Sequence, residues 1–160
     1  MDDPSLATVN EAERQRAIEQ ALPRLRRGEA ELQRLAQEAA QVAGTIFGAV
    51  SIIDRMRQWL VSPFGPIRDV PRALSICAHT IHRPGEPMVV PDTARDPRFA
   101  GSAMVTAPPF IRFYVGFPLV DRAGYAVGAL CVADNAPRDT LPDLYRLAAL
   151  AREAERIVAC

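Results

Sequence analysis

The sequence predicts an α+β fold in which an antiparallel sheet is combined with helices near both ends of the chain. Apolar residues recur three and four positions apart in 29–47 and again after residue 140, which is typical of amphipathic helices. Between these helices lie apolar runs bounded by turn residues, at 49–54, 57–64, 87–90, 112–120 and 124–134. Two of the intervening turns are short, so the strands are expected to pair as antiparallel hairpins.

The composition is that of a single domain with an ordinary hydrophobic core. Of the 160 residues, 49% are hydrophobic and 24% are charged, and the formal net charge is zero. Such a balance gives no overall field that would attract nucleic acid or a membrane surface. The polar, acidic N-terminus and the lack of a long apolar run argue against a signal peptide and a membrane span. We therefore expect a cytoplasmic protein.

The first 28 residues are expected to form a helical extension that precedes a main domain at 29–160. Asn10 and Glu13 have the spacing of a helix N-cap and its reciprocal acid. Pro23 is expected to end this helix, because proline lacks the amide hydrogen that a helix interior needs.

Two further helices are predicted within the main domain. Residues 69–81 begin with an acidic cap and carry a proline in the first turn, where proline is tolerated. The C-terminal helix is expected to begin at Thr140, with Asp143 completing its cap. Leu150 and Ile157 lie off the main apolar stripe of that helix, and a second stripe is typical of helices that also pack against a partner.

The stretch from Val89 to Val120 carries the most informative pattern in the chain. Strand alternation places Phe113, Val115, Phe117 and Leu119 on one face and Arg112, Tyr114 and Gly116 on the other. The first face is expected to pack against the terminal helices. The second face would form the floor of a pocket under the long segment 92–109, with Cys77 or His79 near its wall.

Arg112 and Tyr114 are the leading candidates for ligand binding, because strand alternation points them the same way. A guanidinium at this place offers a planar fork for a carboxylate or phosphate, or it pairs internally with an acid such as Asp92. Asp92, Arg98 and Phe99 in the covering segment are further candidates. The Asp-Pro-Arg-Phe sequence around them is also typical of a turn whose acid and arginine pair with each other.

Four separate blocks of the sequence resemble the GAF domain family, in the branch found in bacterial sensor kinases, diguanylate cyclases and related signalling proteins. The blocks are SICAHTI (75–81), VVPDTARDPRFAG (89–101), FIRFYVGFPLV (110–120) and GYAVGALCVAD (124–134). They occur in the order and spacing of that family over residues 30–158.

The resemblance implies an antiparallel sheet of five or six strands, with the first and last helices on one face and a ligand pocket on the other. It also implies a regulatory module that binds an unknown small molecule, forms a homodimer through its terminal helices and acts on a sensor kinase or diguanylate cyclase. With no obvious output domain, the chain is expected to be either a stand-alone module or a fragment. A ligand-free GAF fold that serves only dimerisation is the alternative within the same family.

Cys77 and His79 raise the question of a chromophore. In bilin-binding GAF domains a histidine usually follows the attaching cysteine directly, whereas Ala78 intervenes here. The alternative is a buried thiol and a hydrogen-bonded imidazole at a helix end. We therefore expect no covalent bilin, no stable haem and no other cofactor. The three cysteines are also too widely spaced to suggest a metal site.

A thiol-dependent reductase of the free methionine sulfoxide type is the alternative from a different class of function. Cys77 and Cys131 would have to serve as its attacking and resolving thiols. The Gly-Val-Cys-Gly run that is typical of those enzymes is missing, and both cysteines stand in apolar contexts far apart in the sequence. All 19 basic residues are arginines, so the lysine-containing motif of cyclic-nucleotide-binding phosphodiesterases is incomplete as well. We expect a sensory module that is not an enzyme.

Overall fold

The computed structural model describes residues 10–62 and 69–158 of the chain. Within these residues the helices are α1 (Glu11–Arg27), α2 (Glu29–Ala43), α3 (Cys77–Thr80), α4 (Ala103–Thr106) and α5 (Leu144–Val158). The strands are β1 (Phe47–Ile53), β2 (Arg57–Val61), β3 (Asp69–Pro71), β4 (Met88–Val90), β5 (Phe113–Val120) and β6 (Ala126–Asp134). These elements confirm the predicted α+β class. No helix in the described part of the chain is long and apolar enough to cross a bilayer.

The described strands form one six-stranded sheet in the order β3-β2-β1-β6-β5-β4, and every neighbouring pair is antiparallel. β5 and β6 pair from Phe113 opposite Asp134 to Val120 opposite Ala126. Every residue of β6, and all but the last of β5, is buried. Side chains of both strands alternate between the two faces, so the sheet needs a covering layer on each side. β2 is shorter than the predicted strand 57–64, whose last two residues lie outside the described range.

The layer on one face of the sheet consists of α1, α2 and α5. Their apolar residues pack against Phe113, Val115, Phe117 and Leu119 of β5, as the alternation predicted. α2 lies closest to the sheet at Gly48 of β1, where an added Cβ would come within 2.2 Å of the Ala36 carbonyl oxygen. Only glycine permits this close approach of a helix backbone to a strand.

The layer on the opposite face consists of α3, α4 and the loops around them. These elements bury a second apolar cluster, whose members include Ile76, Ala78, Phe99, Val105 and Ile111 against Ile53, Tyr114 and Cys131 of the sheet. The sheet therefore separates two hydrophobic cores. As predicted, the terminal helices cover one face, and the short helices and loops cover the other.

The C-terminal end of α2 differs from the prediction, which extended this helix to Phe47. Gly44 has a φ of 65°, and its amide donates to carbonyl oxygens in the last turn of the helix. A glycine in the left-handed region typically ends a helix in this way. Ile46, predicted to lie on the buried stripe of the helix, is consequently outside it and 46% exposed.

The helix α1 also departs from expectation, because it continues through Pro23. Asn10 precedes the helix in a left-handed conformation without a side-chain capping bond, and Glu13 pairs with an arginine one turn later instead. The predicted capping box is therefore wrong. Proline removes a single amide donor, and the burial of Ala21 and Leu25 on either side of it against α2 and α5 holds the helix together.

The predicted helix at 69–81 is wrong for most of its length. Its first three residues form the edge strand β3, which pairs with β2, and a 3-10 turn at Arg72–Leu74 follows. An edge strand accommodates Pro71, because one side of it has no ladder partner to bond. Only Cys77–Thr80 is α-helical, and the hydroxyl of Ser75 accepts the amide hydrogen of Ala78 at 2.9 Å.

The C-terminal helix α5 is capped by Asp143 rather than by Thr140. The Asp143 carboxylate accepts an amide hydrogen of the first turn at 3.1 Å. Leu150 is buried in the core of the same chain, and Ile157 packs against the junction between α1 and α2. Of the two apolar residues off the predicted stripe, Leu150 is thus buried within the chain and Ile157 is partly buried there.

A buried arginine joins α1 to the sheet. Arg14 is 1% exposed, and its guanidinium donates to the Glu11 carboxylate at 2.7 Å and to the main-chain carbonyl oxygen of Ile53, the last residue of β1. Arg72 pairs with the same Glu11 carboxylate, so one acid holds two cations at the end of the sheet. These contacts place α1 against the strands that form the site described below.

Replacing this arginine tests its importance for the fold. Arg14→Met is expected to lower the free energy of unfolding by about 2 kcal/mol, because the Ile53 carbonyl and the Glu11 carboxylate lose a donor in a buried environment. Chemical denaturation followed by circular dichroism measures the change. Arg16→Met is the matched control, since the Arg16 side chain is 68% exposed. Equal losses in the two variants would contradict a special role for Arg14.

Candidate ligand site

A cavity of about 230 Å³ lies between the sheet and the layer formed by α3 and α4. Its apolar lining includes Phe47, Leu60, Ile76, Met104, Ile111 and Ala133. Its polar lining consists of Gln58, Ser62 and Tyr114, together with the thiols of Cys77 and Cys131. Within residues 10–62 and 69–158, no carboxylate, guanidinium or imidazole belongs to the lining.

Tyr114 is the central polar group of this cavity. Its side chain points to the cavity face of β5, as alternation predicted, and the residue is 2% exposed. Its hydroxyl donates to the sulfur of Cys77 at 3.0 Å and lies 2.8 Å from the hydroxyl of Thr80. The phenol has a single proton to donate, so Thr80 is the donor in the second bond. Burial raises the pKa of Tyr114 well above its ordinary value.

The position of this phenol depends on Gly116. A Cβ at Gly116 would lie 2.2 Å from the Tyr114 hydroxyl oxygen, closer than real Cβ atoms come to other atoms. Residues two apart on a strand share a face, so the Tyr114 ring lies over the glycine backbone. The pairing of tyrosine with glycine in Phe-Tyr-Val-Gly is therefore what allows the hydroxyl to reach α3.

The structure brings Cys77 and Cys131 together on the wall of the cavity, although 53 residues separate them in the sequence. The pKa of Cys77 is lowered, chiefly by the neighbouring Cys131 thiol, with Ser51 and Tyr114 acting in the same direction and burial opposing them. The pKa of Cys131 is raised well above its ordinary value by the neighbouring Cys77 thiol and by burial. Separation in the sequence does not keep the two cysteines apart, because α3 packs directly on β6. That they are not a catalytic pair stays a prediction.

Gln58 approaches the cavity from β2 and is held by the turn before α3. The hydroxyl of Ser75 donates to its side-chain carbonyl oxygen, and Gln58 is 5% exposed. Its amide NH₂ is therefore presented from a fixed position, which is what a specific hydrogen bond to a ligand requires. Sequence reasoning missed Gln58 and Ser62. Alternation along β2 shows that Gln58 and Ser62 share a face. Only the pairing of β2 with β1 shows that this face lines the cavity.

Arg112 and Asp92 do not lie on the cavity floor, and the predicted position of Arg112 is wrong. The Arg112 guanidinium lies 3.1 Å from the Asp92 carboxylate and is 35% exposed. Arg112 precedes the first residue of β5, and its side chain is drawn toward the loop that carries Asp92. The internal ion pair, which the sequence left as one of two possibilities, is the arrangement observed.

The remaining sequence candidates also lie outside the lining of the cavity. Arg98 pairs with Asp96 at 2.7 Å within their own turn, and its guanidinium lies 4.9 Å from the centre of the Phe99 ring. Phe99 is 2% exposed, and His79 meets its edge with ring centres 4.9 Å apart. These four side chains stabilise the layer that covers the cavity. Of the seven residues singled out by the sequence, Cys77 and Tyr114 line it.

The described residues contain no group of three or more histidine, cysteine or acidic side chains arranged to hold a metal ion. The polar chemistry that the described lining offers is an amide, two hydroxyls and two thiols. These groups can donate and accept hydrogen bonds, and the Cys77 thiol can act as a nucleophile when it loses its proton.

The Cys77 thiol provides a measurable test of this hydrogen-bond network. In a chain carrying Cys160→Ser, Tyr114→Phe is expected to raise the pKa of Cys77, because the thiolate loses one of its donors. Alkylation by iodoacetamide should then be slower near neutral pH, and its half-maximal rate should shift to higher pH. Tyr145→Phe is the control, since Tyr145 is 91% exposed. If the pH dependence of alkylation shifts equally in both variants, the contact between Tyr114 and Cys77 is not the cause.

Several known structures are similar to this chain. The GAF domain of Thermosynechococcus elongatus PixJ in its blue-light absorbing form gives a TM-score of 0.62 at 15% identity, covering 86% of this chain and 88% of that one. The GAF domain of an Acinetobacter phosphoenolpyruvate-protein phosphotransferase gives 0.60 at 16% identity, covering 86% and 91%. Free methionine-R-sulfoxide reductase from Neisseria meningitidis gives 0.63 at 18% identity, covering 95% and 92%. At such identities these similarities show the fold.

One known protein is also similar to this chain in sequence. A cyclic di-GMP phosphodiesterase of Pseudomonas aeruginosa is 41% identical over 100 residues, which are 62% of this chain and 17% of that protein. The chain therefore spans a small part of the length of this relative. The family model for the GAF domain matches residues 28–158, which include every strand of the sheet and every residue of the cavity named above. This chain belongs to the GAF domain family.

Proposed function

We propose that this chain is a regulatory GAF module of a bacterial signalling protein, and that its cavity binds a small, uncharged and largely apolar molecule. The observation that carries the proposal is the cavity lining. Apolar side chains form most of the wall, while Tyr114, Gln58 and Ser62 supply the polar groups. Sites for small molecules typically combine these features, with few polar groups that orient the ligand.

The arrangement of charges argues against an anionic ligand in this cavity. Arg112 is paired with Asp92 and Arg98 with Asp96, both outside the lining. A phosphate or carboxylate transferred into the cavity would lose its hydration without meeting a cation on the described wall. A cyclic nucleotide is therefore a poorer fit than a neutral molecule. The activity named for the Pseudomonas relative supports a place in signalling and does not identify this ligand.

The signal would pass through the sheet to the terminal helices. Tyr114 faces the cavity, whereas its neighbours Phe113 and Val115 pack against the layer that contains α1, α2 and α5. A ligand that binds one arrangement of β5 more tightly than another would therefore favour one arrangement of these helices. A sensor kinase, a diguanylate cyclase or a phosphodiesterase joined to the helices would be the natural output.

Homodimerisation through the terminal helices remains part of the proposal, with weaker support than the sequence suggested. Leu150 and Ile157 were its basis, and within one chain Leu150 is buried and Ile157 is partly buried. A cytoplasmic location likewise remains a prediction from composition.

Filling the cavity tests the ligand site directly. Ala133→Leu is expected to weaken binding of the neutral fluorescent probe N-phenyl-1-naphthylamine about tenfold, equivalent to about 1.4 kcal/mol, because the added carbons occupy the site. The matched control is Ala148→Leu on α5, a half-buried position on the other face of the sheet. Probe fluorescence titration measures the affinity, and thermal unfolding verifies that both variants fold. Equal binding by the two variants would contradict the assignment.

The reductase of free methionine sulfoxide is a second candidate, favoured by one observation, the presence of both Cys77 and Cys131 on the wall of one cavity. The substrate argues against it, because a free amino acid carries an ammonium and a carboxylate that the described lining does not match. We expect no turnover of free methionine-R-sulfoxide with dithiothreitol as reductant. Turnover that disappears in Cys77→Ser would instead establish the enzymatic function.

A further inference from the structure

Two thiols share the wall of the cavity, and the proposed sensing function makes no use of them. Cys77 is 3% exposed and Cys131 is 8% exposed. Both are free thiols, and they lie on different layers of the fold, one on α3 and the other on β6. The Tyr114 hydroxyl, 3.0 Å from the Cys77 sulfur, lies over Gly116, which pairs with Cys131 across β5 and β6, so the two thiols are neighbours. The third cysteine, Cys160, lies outside the described residues.

The surroundings of the two thiols differ in a way that divides their roles. The sulfur of Cys77 accepts the proton of the Tyr114 hydroxyl at 3.0 Å, and this phenol is in turn held by Thr80. Donors that point at a sulfur stabilise its thiolate, which is the nucleophilic form. Cys131 lies among apolar neighbours in mid-strand, and its pKa is raised by the neighbouring Cys77 thiol and by burial. Cys77 is thus suited to react first and Cys131 to react second.

The cavity gives a small oxidant access to this pair. It opens partly to solvent, and both sulfurs belong to its lining rather than to a sealed interior. A hydroperoxide is small and uncharged, and it can enter an apolar space that excludes charged disulfides such as oxidised glutathione.

We propose that Cys77 and Cys131 form a peroxide-sensitive dithiol that closes to an intramolecular disulfide. The Cys77 thiolate attacks one oxygen of a hydroperoxide, the O–O bond breaks, and Cys77 becomes a sulfenic acid while water or an alcohol leaves with the other oxygen. The Cys131 sulfur then attacks the Cys77 sulfur, and the sulfenic oxygen leaves as water with the Cys131 proton. Two thiols and one peroxide yield one disulfide, one water and one water or alcohol. A cellular dithiol reductant reverses the change.

The disulfide would connect the covering layer of the cavity to a central strand of the sheet. Cys77 belongs to α3, whereas Cys131 pairs with Ala49 of β1 and Gly116 of β5. Oxidation would also convert the sulfur to which Tyr114 donates from a free thiol to half of a disulfide. The oxidation step needs no ligand, so the result of its test is independent of the proposed sensing function.

The test uses the chain with Cys160→Ser, which retains only the two cavity thiols. The folded protein is treated with hydrogen peroxide, and its intact mass is measured before and after reduction with dithiothreitol. We expect a monomer that has lost two hydrogen atoms, in which a peptide containing Cys77 is linked to one containing Cys131, and full recovery on reduction. In this form both native cysteines are present, so the test does not depend on whether a substitution is tolerated.

Two single variants then separate the roles of the thiols. In Cys131→Ser, Cys77 should gain oxygen atoms, react with a sulfenic-acid probe such as dimedone and form no internal link. In Cys77→Ser, Cys131 should stay largely reduced at the same peroxide concentration. The proposal is overturned if the treated protein keeps both thiols reduced, if it links only as an intermolecular dimer, or if the urea-unfolded chain forms the internal link as fast as the folded one.

Discussion

The burial of both faces of β5 and β6 is the constraint on which the rest of the structure depends. Nearly every side chain of these two paired strands is removed from water, so each must find apolar neighbours above or below the sheet. One side is supplied by long helices from opposite ends of the chain, which pack together against the sheet. The other side is supplied by short helices and loops, which cannot pack as tightly as long helices. The cavity lies in this second layer for that reason.

This difference between the layers gives each a separate role. Regular helices with continuous apolar stripes form a rigid core around Leu32, Leu35 and Leu147, all fully buried. The opposite layer has its own apolar cluster and is also held by polar contacts between short segments, such as Ser75 with Gln58 and Asp96 with Arg98. Such contacts can rearrange at small cost, because each involves few atoms. A site that responds to a small molecule is better placed in such a layer, provided that a shared strand carries the response to the helices.

How much the sequence revealed depends on whether the relevant interaction was local. Alternation along a single strand was sufficient to place the side chains of Phe113 and Tyr114 on opposite faces of the sheet. It also placed the terminal helices on the correct face. It was not sufficient for Arg112, because a flexible side chain at a strand end follows its nearest acid rather than the strand pattern. The helix expected at 69–81 failed because pairing with β2 outweighed a good local cap. Gln58 and the meeting of the two cysteines depended on tertiary pairing, which no local pattern contains.

The distribution of charge follows from the same packing. A guanidinium or carboxylate placed inside the second layer would lose its hydration, and its partner would have to be buried with it. The arginines near this layer accordingly pair at its outer edge, as Arg112 does with Asp92. Thiols and phenols are different, because their neutral forms tolerate burial and a short chain of hydrogen bonds can tune them. Thr80, Tyr114 and Cys77 form such a chain along the cavity wall. The cavity wall is therefore mostly apolar, yet it retains one reactive group, the Cys77 thiol, whose reactivity depends on the hydrogen bonds of its neighbours.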